Sequence, residues 1–239
     1  MSRKFRSWQA TSLERMILVD RLRRVFKAYF SQTSDDINSM FLVGGSGLGK
    51  STLARLIGQH FDWGEVRRLQ LTDDKWFKGD RFDTQAVARE LTNISSTGAG
   101  LSRFFDSAGD KRKLFIVDEL QQLSQDQQRR LNSAIEEQQD KVCIIATMNT
   151  EHQATRSSNS TLSRMEVIDF DILKQKQHRS ELIKDMVRVG KLCISDIGVD
   201  STIFSDTDLE EIAERTTHDF RDFFITLGRE YSMKAQHDC

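Results

Sequence analysis

The sequence predicts an α/β protein: a parallel sheet covered on both faces, followed by a smaller all-helical part. Three observations carry that reading. Short apolar runs alternate with helical patterns up to about Phe170. A glycine-rich loop ending in Lys50-Ser51 joins the first such run to a helix. After Leu173 only helical patterns follow. The change places a domain boundary near residues 171–176, with a core over 1–174 and a helical domain over 175–239.

In chain order, residues 13–30 set Leu13, Ile17, Leu18, Leu22, Val25 and Phe26 at helical spacing on one face. Residues 31–39 are polar and read as a loop. Met40–Val43 reads as a buried strand, and a helix follows from Lys50 to about His60. Val66–Leu71 alternates as a strand, and residues 72–80 read as a loop. A helix is expected over 83–95 with Asp83 or Thr84 as its N-cap. Past the stretch Gly98–Gly109, the run Lys113–Val117 is a strand. Ser124 caps a helix over 124–139, and Lys141–Thr147 is a further apolar strand. A polar loop over 151–161 leads to the last strand, Glu166–Phe170. Helices then fall at about 178–189, 208–216 and 219–235.

Composition excludes several classes. No apolar run approaches the roughly 20 residues of a membrane-spanning helix, and the N-terminus lacks the apolar core of a secretory signal. Cys143, Cys193 and Cys239 offer neither zinc spacing nor a disulfide framework, so reduced thiols in a cytoplasmic or, in a eukaryote, nuclear compartment are expected. Cys143, inside an apolar run, reads as core. The histidines form no ligand spacing. A net charge of −1 leaves no global basic footprint for nucleic acid. Residues 1–30 are nevertheless basic, with only Glu14 and Asp20 against eight lysines and arginines. That start is open to an organelle-targeting reading, which the helical pattern over 13–30 disfavours.

The loop Gly44, Gly45, Ser46, Gly47, Leu48, Gly49, Lys50, Ser51, Thr52 matches the phosphate-loop pattern completely, between a predicted strand and a predicted helix. Glycines let main-chain N–H groups turn inward with no side chain in the way. The helix N-terminus adds positive potential for anionic oxygens. Lys50 is the residue for β- and γ-phosphates and Ser51 the hydroxyl for Mg²⁺, so ATP and Mg²⁺ are the expected ligands. The bland alternative is a glycine-rich turn with a chance lysine.

Asp118 and Glu119 close the apolar strand that begins at Lys113. Asp118 is the candidate to hold Mg²⁺, directly or through water. Glu119 is the candidate to orient and polarise the attacking water. Such a pair alone is usually a solvated turn; the upstream phosphate loop gives it chemistry. Asn149 emerges from the next strand, where its amide can hold the attacking water or the γ-phosphate, or simply form a turn.

With these residues in place the chain resembles the AAA+ ATPases, five parallel strands and a helical lid, and within them the clamp-loader branch of replication factor C small subunits and their bacterial and phage counterparts. The likeness rests on the phosphate loop, "IVDE", "LSQDQQRRLNSAIEE", "ATMNT", "LSRMEVIDF" and "THDFRDFF", in the family's order over residues 5–235. It implies a sensor role for Asn149 and an arginine finger at Arg164, supplied to a neighbouring subunit. It also implies a second sensor at Arg221, reaching γ-phosphate from the lid, and an adenine-wrapping segment around Phe5 and Arg6. An always-charged guanidinium suits the charge that spreads over a transferring phosphoryl group. Without the resemblance, Arg164 reads as a solvated loop residue and Arg221 as a helix-surface ion pair. The chain departs from the family where Met165 replaces a cysteine, where Ser7 and Gly45 replace prolines, and where Asn132 and Ser133 replace two arginines. On the same likeness the chain ends where a helical collar would begin.

The resemblance implies an ATPase subunit that shares sites with other AAA+ subunits and loads a sliding clamp on primer–template DNA. A transposition-regulator or initiator-like ATPase on duplex DNA is the second reading, and a nucleotide-binding assembly module with little turnover is the third. No membrane partner is expected.

The chain contains no proline, where about 5%, roughly a dozen residues, is usual; an engineered or redesigned chain is one reading. Refolding from denaturant, followed by tryptophan fluorescence after long and short unfolding delays, is expected to lack the slow phase of about 10–100 s that proline isomerisation produces.

Overall fold

The computed structural model describes residues 2–70, 77–78, 81–82, 111–122, 142–150, 165–217 and 219–237. The predicted helices over 83–95 and 124–139, the stretch Gly98–Gly109, the polar loop over 151–161 and Arg164 lie outside the described residues.

Five strands form one sheet: β1 (Met40–Gly44), β2 (Val66–Gln70), β5 (Lys113–Asp118), β6 (Val142–Asn149) and β7 (Glu166–Asp169). Their order is β2-β5-β6-β1-β7, and every pairing is parallel. Helices flank the sheet, and a helical region follows it. A short antiparallel pair joins β3 (Phe77–Lys78) to β4 (Arg81–Phe82); β3 falls inside the loop predicted over 72–80 and β4 just past it. No described helix is long and apolar enough to cross a membrane.

The chain divides into two compact units. The first, Phe30–Gly44 with Ile57–Asp169, contains the sheet. Its inner strands β1, β5 and β6 are buried almost throughout, as expected for parallel strands covered on both faces. The outer strand β7 buries only Ile168 and exposes Glu166, Val167 and Asp169. Charged residues on an outer strand discourage pairing with other chains. Behind the strands' N-terminal ends, the Arg112 guanidinium donates to the carbonyls of Asp35 and Ile37 at 3.1 and 2.5 Å and to that of Val142 at 3.3 Å. At Asp35 and Ile37 it satisfies loop backbone, and at Val142 it meets the first residue of β6.

Helix α3 (Lys50–His60) begins in the second unit and ends in the first. A Cβ on Gly58 would lie 3.3 Å from both Leu114 and Val66, so glycine lets the last turn of α3 settle closely on β2 and β5.

The second unit gathers Met1–Tyr29, Gly45–Leu56 and Phe170–Cys239. Its helices are α1 (Ser2–Ser7), α2 (Asp20–Phe30), α4 (Arg179–Asp196), α5 (Asp206–Thr216) and α6 (Phe220–His237). The helix predicted over 13–30 does not form as one element. Only a single 3-10 turn forms at Leu13–Arg15; the chain then leaves helical geometry, and α2 starts at Asp20. The reason is a run of four buried residues, 16–19, with no polar face. Side chains replace the helical ladder along it. Arg23 donates to the carbonyls of Leu13, Met16 and Leu18, and Arg188 to those of Glu14 and Met16. The Leu18 N–H donates to Asp185 at 2.8 Å, and Asp185 also pairs with Arg23 at 2.6 Å and Arg188 at 2.7 Å.

Helix α4 continues past the predicted Val189 because its apolar stripe continues through Cys193 and Ile194. Gly190, in mid-helix, costs about 1 kcal/mol against alanine. The Phe223 ring of α6 lies 3.1 Å from where its Cβ would be, and that contact accounts for the glycine. Helix α5 opens on a reciprocal cap between Ser205 and Asp208. Lys234 and the Ser205 cap together hold the Asp208 carboxyl at about 2.

Candidate functional site

The phosphate loop leaves the sheet at Gly44, the last residue of β1, and enters α3 at Lys50. Gly47 and Gly49 have φ of 73° and 89°, a region that favours glycine. Leu48 is fully buried, while Ser46, Ser51 and Thr52 are half-buried. Lys50 is buried, and its Nζ donates to the Gly45 carbonyl at 2.6 Å. The Gly45 N–H donates to Asp171 Oδ1 at 2.8 Å, and Lys174 Nζ fills the space a Cβ at residue 45 would need. At Gly47 the loop meets the start of α6. The Phe220 N–H donates to the Gly47 carbonyl at 3.2 Å, and the Asp219 carboxylate stands where a side chain at 47 would go. Asp219 also accepts from the Arg221 N–H at 2.8 Å, capping the helix. Arg221 is exposed in that first turn. Phe5 is fully buried, its ring 5.7 Å from that of Tyr231, and Arg6 is exposed.

In the sheet unit the candidate residues Asp118, Glu119 and Asn149 lie along the C-terminal edge of the strands. Parallel register sets Gly44 opposite Asn149 and Gln70 opposite Asp118. Asp118 is 3% exposed at the end of a wholly buried strand. A buried carboxylate needs compensating donors. Arg68 of β2 supplies two, placing Nε and Nη2 at 2.7 and 2.6 Å from Oδ2. The Thr147 hydroxyl of β6 donates to Oδ1 at 3.1 Å. The same hydroxyl accepts from the Glu119 N–H at 3.1 Å.

Glu119 takes a φ of 62°, a left-handed conformation that costs a non-glycine residue about 1–3 kcal/mol. The turn directs the peptide N–H of Glu119 at Thr147 and leaves its carboxylate with the amides around it. Asn149 Nδ2 donates to the two carboxylate oxygens at 3.3 and 3.0 Å. Gln121 Nε2 donates to Oε2, and Gln121 Oε1 accepts from the Asn149 N–H at 3.4 Å. Asp118, Glu119 and Asn149 therefore form one hydrogen-bonded cluster. Arg68, Gln121 and Thr147 belong to it as well, and the sequence reading missed all three. The available signal was weak: a lone polar residue inside an apolar run for Thr147, and a glutamine two residues after the acidic pair for Gln121.

Residues 40–171 match the family described as "ATPase family associated with various cellular activities (AAA)". The chain belongs to that family. Among solved structures this AAA chain is similar to a point variant of Thermotoga maritima RuvB, with a TM-score of 0.60 at 19% identity, covering 92% of this chain and 64% of that one. It is also similar to the replication initiator DnaA bound to AMPPCP and single-stranded DNA, at 0.59 and 17%, covering 93% and 64%. AMPPCP-bound DnaA from Aquifex aeolicus gives 0.57 and 16%, covering 89% and 61%. At these identities the likeness is one of fold, and the chain spans about two thirds or less of each neighbour. No curated protein matches the chain in sequence.

Family membership implies nucleotide binding. Within its own unit the loop suits phosphates, with left-handed glycines at a helix start and the Ser51 hydroxyl as a hard oxygen donor; within the sheet unit the Asp118 carboxylate is a hard oxygen donor of the kind Mg²⁺ takes. Thr147→Val keeps the shape but removes the hydroxyl shared by Asp118 and Glu119. It is expected to lower stability by about 1–3 kcal/mol, read as an earlier midpoint in urea unfolding with an unchanged slope.

Proposed function

We propose that this AAA chain is a Mg²⁺-dependent ATPase subunit that couples ATP binding and hydrolysis to loading a sliding clamp on primer–template DNA, in an assembly with shared sites. The observation that carries the ATPase reading is the Glu119 carboxylate, held by Asn149 beside the buried Asp118 at the end of a parallel sheet. A base that takes a proton from water must be fixed in place before the reaction. The Asn149 and Gln121 amides fix it, and the left-handed turn at Glu119 serves the same end.

Lys50 leaves its own loop carbonyl to meet the β- and γ-phosphates, and Ser51 turns its hydroxyl to the cation. The bound Mg²⁺ supplies charge neutralisation of the phosphate oxygens. Arg221, exposed at the start of α6, is the residue we assign to the γ-phosphate from the same chain. Arg164 is assigned to a neighbouring subunit's site, which makes turnover depend on assembly.

Clamp loading is supported by the ordered motif likeness over residues 5–235. A second reading, an initiator or motor acting on DNA without a clamp, is favoured by the fold likeness to DnaA and RuvB. Turnover measured with primed DNA, with and without a clamp, separates the two. Stimulation that needs the clamp supports loading; full stimulation by duplex DNA alone supports the other.

Glu119→Gln is expected to bind ATP within about twofold of wild type and to hydrolyse it about 10²–10⁴-fold more slowly. Equal slow turnover in both proteins, with ATP bound by both, would leave an assembly module and no enzyme.

A further inference from the structure

The arginine on Asp118 has no part in the chemistry above, yet it stands where that chemistry begins. Arg68 places two N–H groups on one oxygen, Oδ2, while Thr147 takes the other. Both carboxylate oxygens are therefore engaged by the protein itself. Asp118 is almost wholly buried, whereas the Arg68 side chain is 42% exposed. Arg68 also sits on an outer strand of the sheet, β2. The anion is fixed and its counter-charge is free to leave.

We propose that Arg68 is a positioning residue for the Asp118 carboxylate, an internal counter-charge that Mg²⁺ displaces when nucleotide binds. The inference rests on the reading of Asp118 as the metal carboxylate. A doubly charged ion and a guanidinium repel when they share one oxygen. Loading the cation therefore turns Arg68 out toward solvent, and losing it brings Arg68 back. The exchange spares the sheet a bare buried carboxylate between turnovers. It also raises the Mg²⁺ concentration the site needs, because each cation must compete with a charge tethered next to its ligand.

The test is a Mg²⁺ titration of binding by a fluorescent, non-hydrolysable ATP analogue, in wild type, Arg68→Gln and Arg68→Lys. Arg68→Gln is expected to move the cation midpoint to about fivefold lower Mg²⁺, an exposed-side estimate for losing one competing charge. Cation-free binding in EDTA should stay unchanged, and Arg68→Lys, which keeps the charge, should stay near wild type. A purely structural role would not confine the change to the cation-dependent part. A midpoint that is unchanged or higher in Arg68→Gln overturns the inference.

Should Arg68→Gln fail to fold, the wild-type Nε–H resonance of Arg68 decides instead. It should be protected from solvent exchange with the analogue alone and lose protection when Mg²⁺ is added. Protection that persists with Mg²⁺ overturns the inference. Absence of analogue binding by wild type at every Mg²⁺ concentration overturns the nucleotide reading as well, whereas binding with an unmoved midpoint overturns this inference alone.

Discussion

A carboxylate at the end of a fully buried strand is the constraint around which the sheet unit is arranged. Asp118 is removed from water by β5 and its two neighbours, so its charge must be met by the protein. The neighbours meet it from both sides: Thr147 from β6 and Arg68 from β2. The Thr147 hydroxyl then does a second task by receiving the Glu119 N–H, which bends the chain into its left-handed turn. One buried charge thus sets the direction of the next carboxylate. Parallel register makes this possible, because it brings the ends of β1, β5 and β6 to the same edge.

The second unit meets a similar demand with different parts. Its phosphate loop is a run of main-chain groups without a regular ladder, and unpaired backbone in a packed setting is costly. Asp171, Phe220 and the loop's own Lys50 supply the partners. Two of those partners come from the C-terminal part of the chain, so the helical region helps to define that loop. The non-helical passage over residues 16–19 is held in the same manner, by Arg23, Asp185 and Arg188.

The sequence made the sheet legible for a physical reason. A parallel strand buried on both faces must be apolar throughout, and residues 40–43, 114–117 and 142–146 are. Lys50, Asp118, Glu119 and Asn149 were legible because each follows such a run at a fixed offset. The break before Asp20 was not, because Leu13, Ile17 and Leu22 keep helical spacing while the groups that undo the helix, Asp185 and Arg188, lie far along the chain. Arg68 was hidden for a related reason: on an outer strand an arginine reads as solvated, and only the pairing of β2 with β5 carries it to Asp118. Arg164 rests on a motif likeness alone, and it lies outside the described residues.

The deciding observation is where a divalent cation binds. Crystals grown with Mn²⁺ and a non-hydrolysable ATP analogue give an anomalous peak whose position needs no assumption about side chains. If the buried carboxylate of β5 serves phosphoryl transfer, the peak lies at an Asp118 oxygen or one water away, with the analogue's phosphates on the loop from Gly44 to Thr52. A peak remote from Asp118, with the analogue bound on that loop, would contradict it.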